Sequence, residues 1–322
     1  MRDSAFDVMK GIAIIAMVLG HAHIPALASD FIFVWHMPLF FIVSGFFYKP
    51  YPIILYIKKN IRLLLLPYFL TSIIIIGLTC LKDVIFNERN TIIRVYAAIL
   101  GNGTPNNVNF QQYVIGAIWF LLALFWCRII FNILYQKCSQ PWIFFVNVLG
   151  ISILATFCGT LLYIPADILQ GLQGMFFFGV GYAFKTKKAF NYKIGMWGTF
   201  LILLFVLLSI WSGSLSMARC FYGYWPLNVF AAIGMTLVIY KLSKYLCSKN
   251  ILGNRLLAFW GRISIVVLCV HILDIFFFPL KSFHNLFALS KHIDIFVHLF
   301  VALFVSSVIV KFTFVRKVFS IK

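Results

Sequence analysis

The chain has 322 residues, of which 63% are hydrophobic and 11% are charged, and its mean hydropathy is +0.99. Soluble domains average roughly 45–50% apolar and about 25% charged residues. The composition therefore excludes a soluble enzyme, a disordered chain and a secreted disulfide scaffold. Because the apolar stretches are long and do not alternate in polarity, we expect an all-α polytopic membrane protein rather than a membrane barrel.

The net charge of +19 would suggest nucleic-acid binding in a soluble protein. Here the basic residues lie in short segments between apolar runs, so we expect them to orient helices and to contact anionic membrane lipids. We predict no nucleic-acid partner. The seven cysteines form no CxxC pair and the histidines form no HExxH motif, so we predict no metal site.

Apolar runs long enough to cross the membrane occur ten times along the chain. About 20 helical residues cross a hydrocarbon layer of about 30 Å. The predicted spans cover about residues 8–27, 31–48, 62–81, 113–135, 142–163, 167–184, 194–212, 224–246, 259–280 and 293–314. We expect a tight connection at 28–30 and a single domain over 1–322, with no soluble domain after residue 314.

The distribution of basic residues predicts the orientation of these spans. With a cytoplasmic N-terminus, the inner segments hold 21 of the 27 Lys and Arg residues and the outer segments hold six. Cytoplasmic segments carry the excess of basic residues, so both termini are predicted to be cytoplasmic and segment 101–109 to be outside. The expected location is the cell membrane.

Ionisable residues inside a predicted span are candidates for function, because inserting one costs about 2.5–3.5 kcal/mol. In the first span, Asp7, Lys10 and His21 share one helix face, since eleven residues at 100° each return to within about 20°. In the second span His36, beside Pro38, is predicted at a depth similar to that of His21. For His21 alone, a structural hydrogen bond is the competing interpretation.

Three further residues are predicted to lie near the membrane depth of His21 and His36 and to support them. Trp119 is expected at a comparable depth, and His271 slightly deeper, with Asp274 one turn away. The competing interpretations are packing or interface anchoring for Trp119, and simple orientation or satisfaction of His271 for Asp274. The remaining histidines, His298 among them, are expected to be solvated at the membrane surface.

Several segments of the chain resemble one known family. Phe6-Asp7-Val8-Met9-Lys10-Gly11-Ile12, followed by Val18-Leu19-Gly20-His21, is similar to the opening of the acyltransferase-3 family of integral membrane acyltransferases. In that family a basic residue precedes a histidine by the interval seen between Lys10 and His21. The further similar segments are 35–46, 62–68, 119–121 and 261–264, the last followed by His271.

This resemblance implies transfer of an acyl group, usually acetyl, from cytosolic acyl-CoA to a hydroxyl of an extracytoplasmic glycan or lipid-linked sugar. It also implies that His21 is the catalytic histidine and that Lys10 and Arg62 belong to the acyl-CoA side. Relatives that modify polysaccharides often carry a Glu shortly after the Trp119 motif, and this chain has none there. The acceptor is therefore left open.

The residue types fit that reaction. A thioester is already activated, so the protein must hold it beside a hydroxyl and remove the hydroxyl proton, which suits a histidine base. His21 is expected to act as base or, alternatively, as a transient acyl carrier. We expect Lys10 and Arg62, with Lys58 and Lys59, to contact the CoA phosphates.

Two roles stay open from the sequence. His36 is a second catalytic candidate, and His36 or His271 could orient His21, bind the acceptor or stabilise the oxyanion. The alternative from another class is a transporter or flippase with an intramembrane His/Asp relay, although no inverted repeat is evident.

Overall fold

The computed structural model describes residues 3–22, 24–104, 113–192, 194–213, 215–249, 252–277 and 291–321. These residues form helices joined by short connections. In chain order the α-helices are α1 (Ser4–Gly20), α2 (Ala26–Phe46), α3 (Ile53–Asn60), α4 (Leu66–Phe86), α5 (Thr91–Leu100), α6 (Trp119–Lys137), α7 (Pro141–Leu161), α8 (Ile168–Thr186), α9 (Met196–Ser212), α10 (Leu227–Ser248), α11 (Leu252–Arg262), α12 (Ser264–Phe277), α13 (Lys291–Ile309) and α14 (Thr313–Val318).

Five helical stretches in the described ranges are long and apolar enough to cross a membrane. They are α2, the continuous stretch from α3 through α4, α6, α7 and α10. The pair α11 and α12, bent by 78° between them, counts as a sixth if it forms one broken span. The protein is thus all-helical and membrane-embedded, while the count of ten spans and the cytoplasmic termini stay predictions. The predicted outer segment 101–109 is described only to residue 104.

The first hairpin differs from the predicted one. Helix α1 ends at Gly20 rather than near residue 27, and α2 already begins at Ala26. The predicted connection at 28–30 was therefore wrong, because these residues form the first turn of α2. Pro25 explains the position of the break, since proline disfavours helical conformation in the residue before it and is tolerated at a helix start.

Glycines allow two pairs of helices to approach closely. A Cβ at Gly261 of α11 would lie 1.8 Å from the carbonyl oxygen of Asp7 in α1, and one at Gly11 would lie 2.0 Å from that of Leu257. Between α2 and α8, Gly45 and Gly181 abut opposing carbonyls in the same way. Small residues at helix contacts let membrane helices pack backbone to backbone. The first of these contacts brings the end of α11 beside the Asp7–Lys10 turn.

The functional residues separate into two ends of the bundle. The cationic end contains the start of α1, the end of α2, helix α3 and helix α14. The histidine end contains the end of α1 and the starts of α2, α6 and α8. These two names are used below without reference to the side of the membrane.

Candidate active site

Near the cationic end, α1 carries an ion pair on the helix face predicted to hold Asp7, Lys10 and His21. Lys10 Nζ lies 3.0 Å from Asp7 Oδ1, with the Lys side chain 21% exposed and the Asp side chain 5% exposed. The spacing of three residues places the two groups on adjacent turns of one face. Asp7 thus holds Lys10 in position, as the shared face predicted.

Lys10 lines a cavity of about 260 Å³ that runs between α1, α2, α6 and the α11–α12 break. Arg128 and Arg262 line the same cavity, so three basic side chains meet at its cationic end. Met17, Met37 and Leu268 lie further along the cavity wall. Each of these three lies within four residues along the chain of a histidine, namely His21, His36 and His271. The cavity therefore extends from three cations to within about one helical turn of three imidazoles.

Arg128 was not among the predicted site residues, yet it is the best-held cation of the cavity. Its Nε donates to Ser44 Oγ at 3.0 Å, and its Nη1 donates to Asn60 Oδ1 at 2.9 Å. Asn60 is fully buried and also donates to the Tyr56 carbonyl at 2.8 Å. Arg128 lies inside the predicted span 113–135. It could therefore have been identified in the same way as Lys10 and His21, as an ionisable residue within a membrane span.

A second group of cations forms what we call the basic basin, at the cationic end. Lys58, Lys59 and Arg62, which are all exposed, border a depression together with Arg316 and Lys317 of α14. Arg62 lies in a single π-helical turn, Ile61–Leu65, between α3 and α4, and such turns occur frequently at functional sites. Ile321 borders both the basin and the cavity. Arg62 and Lys10 therefore occupy adjoining spaces rather than one site.

His21 follows the last residue of α1, at the histidine end. Its Nδ1 lies 2.8 Å from the Met17 carbonyl oxygen, and its side chain is exposed. A carbonyl only accepts, so Nδ1 carries the proton in the neutral ring and Nε2 presents a lone pair. This tautomer suits a group that must accept a proton.

His271 is the imidazole that the structure brings to His21. The ring centroids are 5.6 Å apart in an edge-on arrangement. His271 is 1% exposed, and neither of its ring nitrogens has a hydrogen-bond partner within the described part of the chain. A buried polar group without a partner is uncommon. Here it marks a place beside His21 where a polar substrate atom or a water molecule can bind.

Phe33 lies against both His21 and His36. The Phe33 ring is 5.5 Å from His21 and 5.0 Å from His36. Like His21, His36 has Nδ1 at 2.8 Å from a carbonyl oxygen, that of Ile32, but it is only 1% exposed. His36 therefore lies close to His21 in the group of three histidines called the histidine layer below, which also includes His271.

The interpretation that Asp274 simply orients or satisfies His271 was wrong, because neither ring nitrogen of His271 has a partner within the described ranges. Asp274 Oδ2 pairs with His298 Nδ1 of α13, and His298 was expected to be solvated. Asp274 is 3% exposed, and a buried carboxyl needs a partner, which here comes from a different helix. The sequence interval of 24 residues between the two gave no indication of the contact.

Trp119 begins α6 and is 5% exposed. A Cβ at Gly103 would lie 2.1 Å from its Cδ1 atom, so the backbone of segment 101–104 rests against the indole. Gly116, just before α6, abuts Ile272, the residue after His271. Trp119 thus supports a loop near the histidine end.

The described ranges contain no group of three or more His, Cys, Asp or Glu side chains placed to hold a metal ion. The cations of the cavity and the basin are instead suited to phosphate groups, which Lys and Arg bind through charge-assisted hydrogen bonds.

Comparison with protein families matched residues 3–316 to the family model described as an acyltransferase domain, Acyl_transf_3. The match covers nearly the whole described chain. It includes the histidines, the three cations of the cavity and every basic residue of the basin except Lys317. Neither the curated proteins nor the solved structures gave a match.

Proposed function

The chain belongs to the acyltransferase-3 family, and on that premise we propose that this membrane acyltransferase transfers acetyl from cytosolic acetyl-CoA to a hydroxyl of an extracytoplasmic glycan or lipid-linked sugar. Family membership supports an enzyme rather than a transporter. The observation that carries the proposal is the cavity, which runs from three basic side chains to within about one helical turn of His21, His36 and His271. We place the protein in the cell membrane with both termini in the cytoplasm.

The donor would enter at the cationic end. The basic basin would take the phosphates of the nucleotide, and Lys10, Arg128 and Arg262 would take the phosphate groups nearer the pantetheine arm. The arm would then lie along the wall that includes Phe40 and Phe120, which is mostly apolar beyond the cations. This arrangement would bring the thioester toward the histidine layer, where the acceptor hydroxyl arrives from the other end.

His21 would act as the general base. Its Nε2 would accept the hydroxyl proton while the hydroxyl oxygen forms a bond to the thioester carbonyl carbon. The carbon–sulfur bond then breaks, and the CoA thiolate takes the proton from His21 to leave as the thiol. His271, with its unpartnered nitrogens, would contact the acceptor or the developing oxyanion beside His21.

The test is acetyl transfer and donor binding by the same His21→Ala protein. Transfer of labelled acetyl to the glycan fraction of host membranes should fall by about 10²–10⁴-fold, the usual effect of a lost general base. The affinity for acetyl-CoA should stay near the wild-type value, since the cations lie at the other end of the cavity. Wild-type transfer by His21→Ala would contradict the assignment of His21.

His36→Ala is the matched comparison. It removes an imidazole with the same Nδ1 contact to a carbonyl, but one that is buried. We expect a smaller loss of transfer. An equal loss in both variants would mean that the layer as a whole, and not His21 as base, is needed.

A further inference from the structure

Polar atoms without hydrogen-bond partners are concentrated at one place near the histidine end. Fifteen buried side-chain nitrogen and oxygen atoms have no partner within the described ranges, and seven of them belong to five residues. These residues, called the polar row below, are Asn102, Thr104, Asp167, Gln170 and Gln173. Native proteins leave few such groups, and each one calls for an explanation.

Four residues of the polar row are buried, and Thr104 is half-buried. Asn102 is 1% exposed and Gln173 fully buried, and each lacks a partner within the described ranges for both its amide nitrogen and its amide oxygen. A Cβ at Gly101, beside Asn102, would lie 2.6 Å from Asp167 Oδ2. Asp167 directly precedes α8, and Gln170 and Gln173 follow in the first two turns of that helix. Gln170 Nε2 donates to the Ala218 carbonyl at 3.3 Å, so only its oxygen is unpaired. The row extends inward by about 9 Å.

The inner end of the polar row lies behind the wall of the cavity, with Phe41 between them. Gly174, next to Gln173, abuts the ring of Phe41, and that ring lies 5.4 Å from Phe120, which lines the cavity. The outer end lies on the loop that Trp119 supports, close to the contact between Gly116 and the helix of His271. The row therefore leads from the end of the bundle toward the proposed meeting point of donor and acceptor.

The chemistry of the row selects a class of ligand. Each amide offers donors and an acceptor, and the hydroxyl of Thr104 offers both. Sugar hydroxyl groups also donate and accept, so they can satisfy such a set in alternation. No Lys or Arg belongs to the row, and the carboxyl of Asp167 disfavours an anion. Unpaired buried amides cost stability, and such a cost is often found where a binding site must be kept ready.

We propose that the polar row is the subsite that binds the saccharide acceptor of the transfer reaction, an inference that rests on the proposed function. The row would hold the ring hydroxyls of the sugar while one hydroxyl faces His21. The loop at Asn102 and helix α8 would together form the two sides of the subsite.

The test uses Gln173→Met and Asn102→Leu, which replace the amides by apolar side chains of similar size. Three quantities are measured: the affinity of the purified protein for acetyl-CoA, its melting temperature, and KM for the saccharide-containing fraction extracted from membranes of the expressing cells. We expect unchanged donor affinity, an equal or higher melting temperature, and an acceptor KM raised by roughly tenfold, as for a lost hydrogen bond.

Ser209→Ala is the control, because Ser209 is a fully buried hydroxyl without a partner on α9, outside the polar row. It should leave the acceptor KM unchanged. An unchanged acceptor KM in both row variants would overturn the proposal and assign these groups to bound water. A joint loss of melting temperature and donor affinity would overturn it in favour of a structural role.

Results with the wild-type protein distinguish a failure of the proposed function from a failure of the subsite proposal. A wild-type protein that does not bind acetyl-CoA contradicts the acetyl-CoA reaction itself. A wild-type protein that binds acetyl-CoA but acetylates nothing in the saccharide fraction overturns the saccharide subsite and leaves donor binding intact.

Discussion

At the scale of single residues, the hydrogen bonds of Arg128 distinguish it from the other cations of the cavity. Its guanidinium is held in a fork by Ser44 and Asn60, from two different segments. An arginine side chain can donate to both and still present its remaining N–H groups to the cavity. A lysine has a single nitrogen and cannot reproduce this geometry. The position therefore requires more than a positive charge.

We expect Arg128→Lys to weaken acetyl-CoA binding by roughly tenfold, which corresponds to about 1.4 kcal/mol, even though the charge is kept. The measurement is the acetyl-CoA affinity of the purified protein. Lys137→Ala is the matched control, because Lys137 is exposed at the end of the same helix and borders neither the cavity nor the basin. If Lys137→Ala weakens binding equally, general positive potential rather than the fork explains the affinity.

At the scale of helices, the contact of α1 with α11 sets the geometry of the cavity's cationic end. Gly261 lies against the backbone of Asp7, and Arg262 follows it at the 78° bend that leads into α12. Hydrophobic burial does not drive association between helices in lipid, so close backbone packing and polar contacts must do so. The glycines hold the Lys10 turn and Arg262 beside the same cavity.

Gly261→Ala should force these two helices apart. The added methyl would lie 1.8 Å from a backbone oxygen, and overpacking of this kind costs about 1–3 kcal/mol. We expect a lower melting temperature together with weaker acetyl-CoA binding. Gly253→Ala in the same helix has no atom within 4 Å of the added methyl and should change neither. Unchanged stability of Gly261→Ala would show that the contact with α1 does not hold α11 in place.

At the scale of the whole molecule, residues from opposite ends of the chain form the basic basin. Lys58, Lys59 and Arg62 come from the third helix and the turn after it, whereas Arg316 and Lys317 come from the last described helix. Among the residues that the structure describes, no acidic side chain lines the basin. Five cations around one depression favour a ligand with several phosphates.

We expect Arg62→Ala and Arg316→Ala to discriminate between two acetyl donors. Each variant should weaken the use of acetyl-CoA by about 5- to 50-fold, as for a lost charge-assisted hydrogen bond. Neither should affect acetyl-pantetheine, which lacks the nucleotide and its phosphates. Kinetics with both donors provide the measurement. An equal loss with the two donors would place the basin's effect outside nucleotide binding.

Much of the fold and part of the site could be predicted without coordinates. Hydropathy is a local property of 20 residues, so all-helical membrane architecture followed from the apolar runs alone. The pairing of Asp7 with Lys10 followed from helix periodicity, which depends only on an interval of three residues. His21 could be identified as a candidate functional residue because it lies on the same predicted helix face as Asp7 and Lys10. Pro25 also indicated that α1 ends before it, but a hydropathy window of about 20 residues does not register a single proline and extended the predicted span to residue 27.

Contacts between helices were decided by the tertiary structure. The pairing of Asp274 with His298, the proximity of His271 to His21, and the meeting of Arg128 and Arg262 with Lys10 all join residues far apart in sequence. In a membrane the lipid-facing and protein-facing sides of a helix are both apolar, so the hydrophobic pattern does not indicate which helices are neighbours. Glycine contacts, hydrogen bonds and the bend after α11 select the neighbours, and these act only once the helices have met.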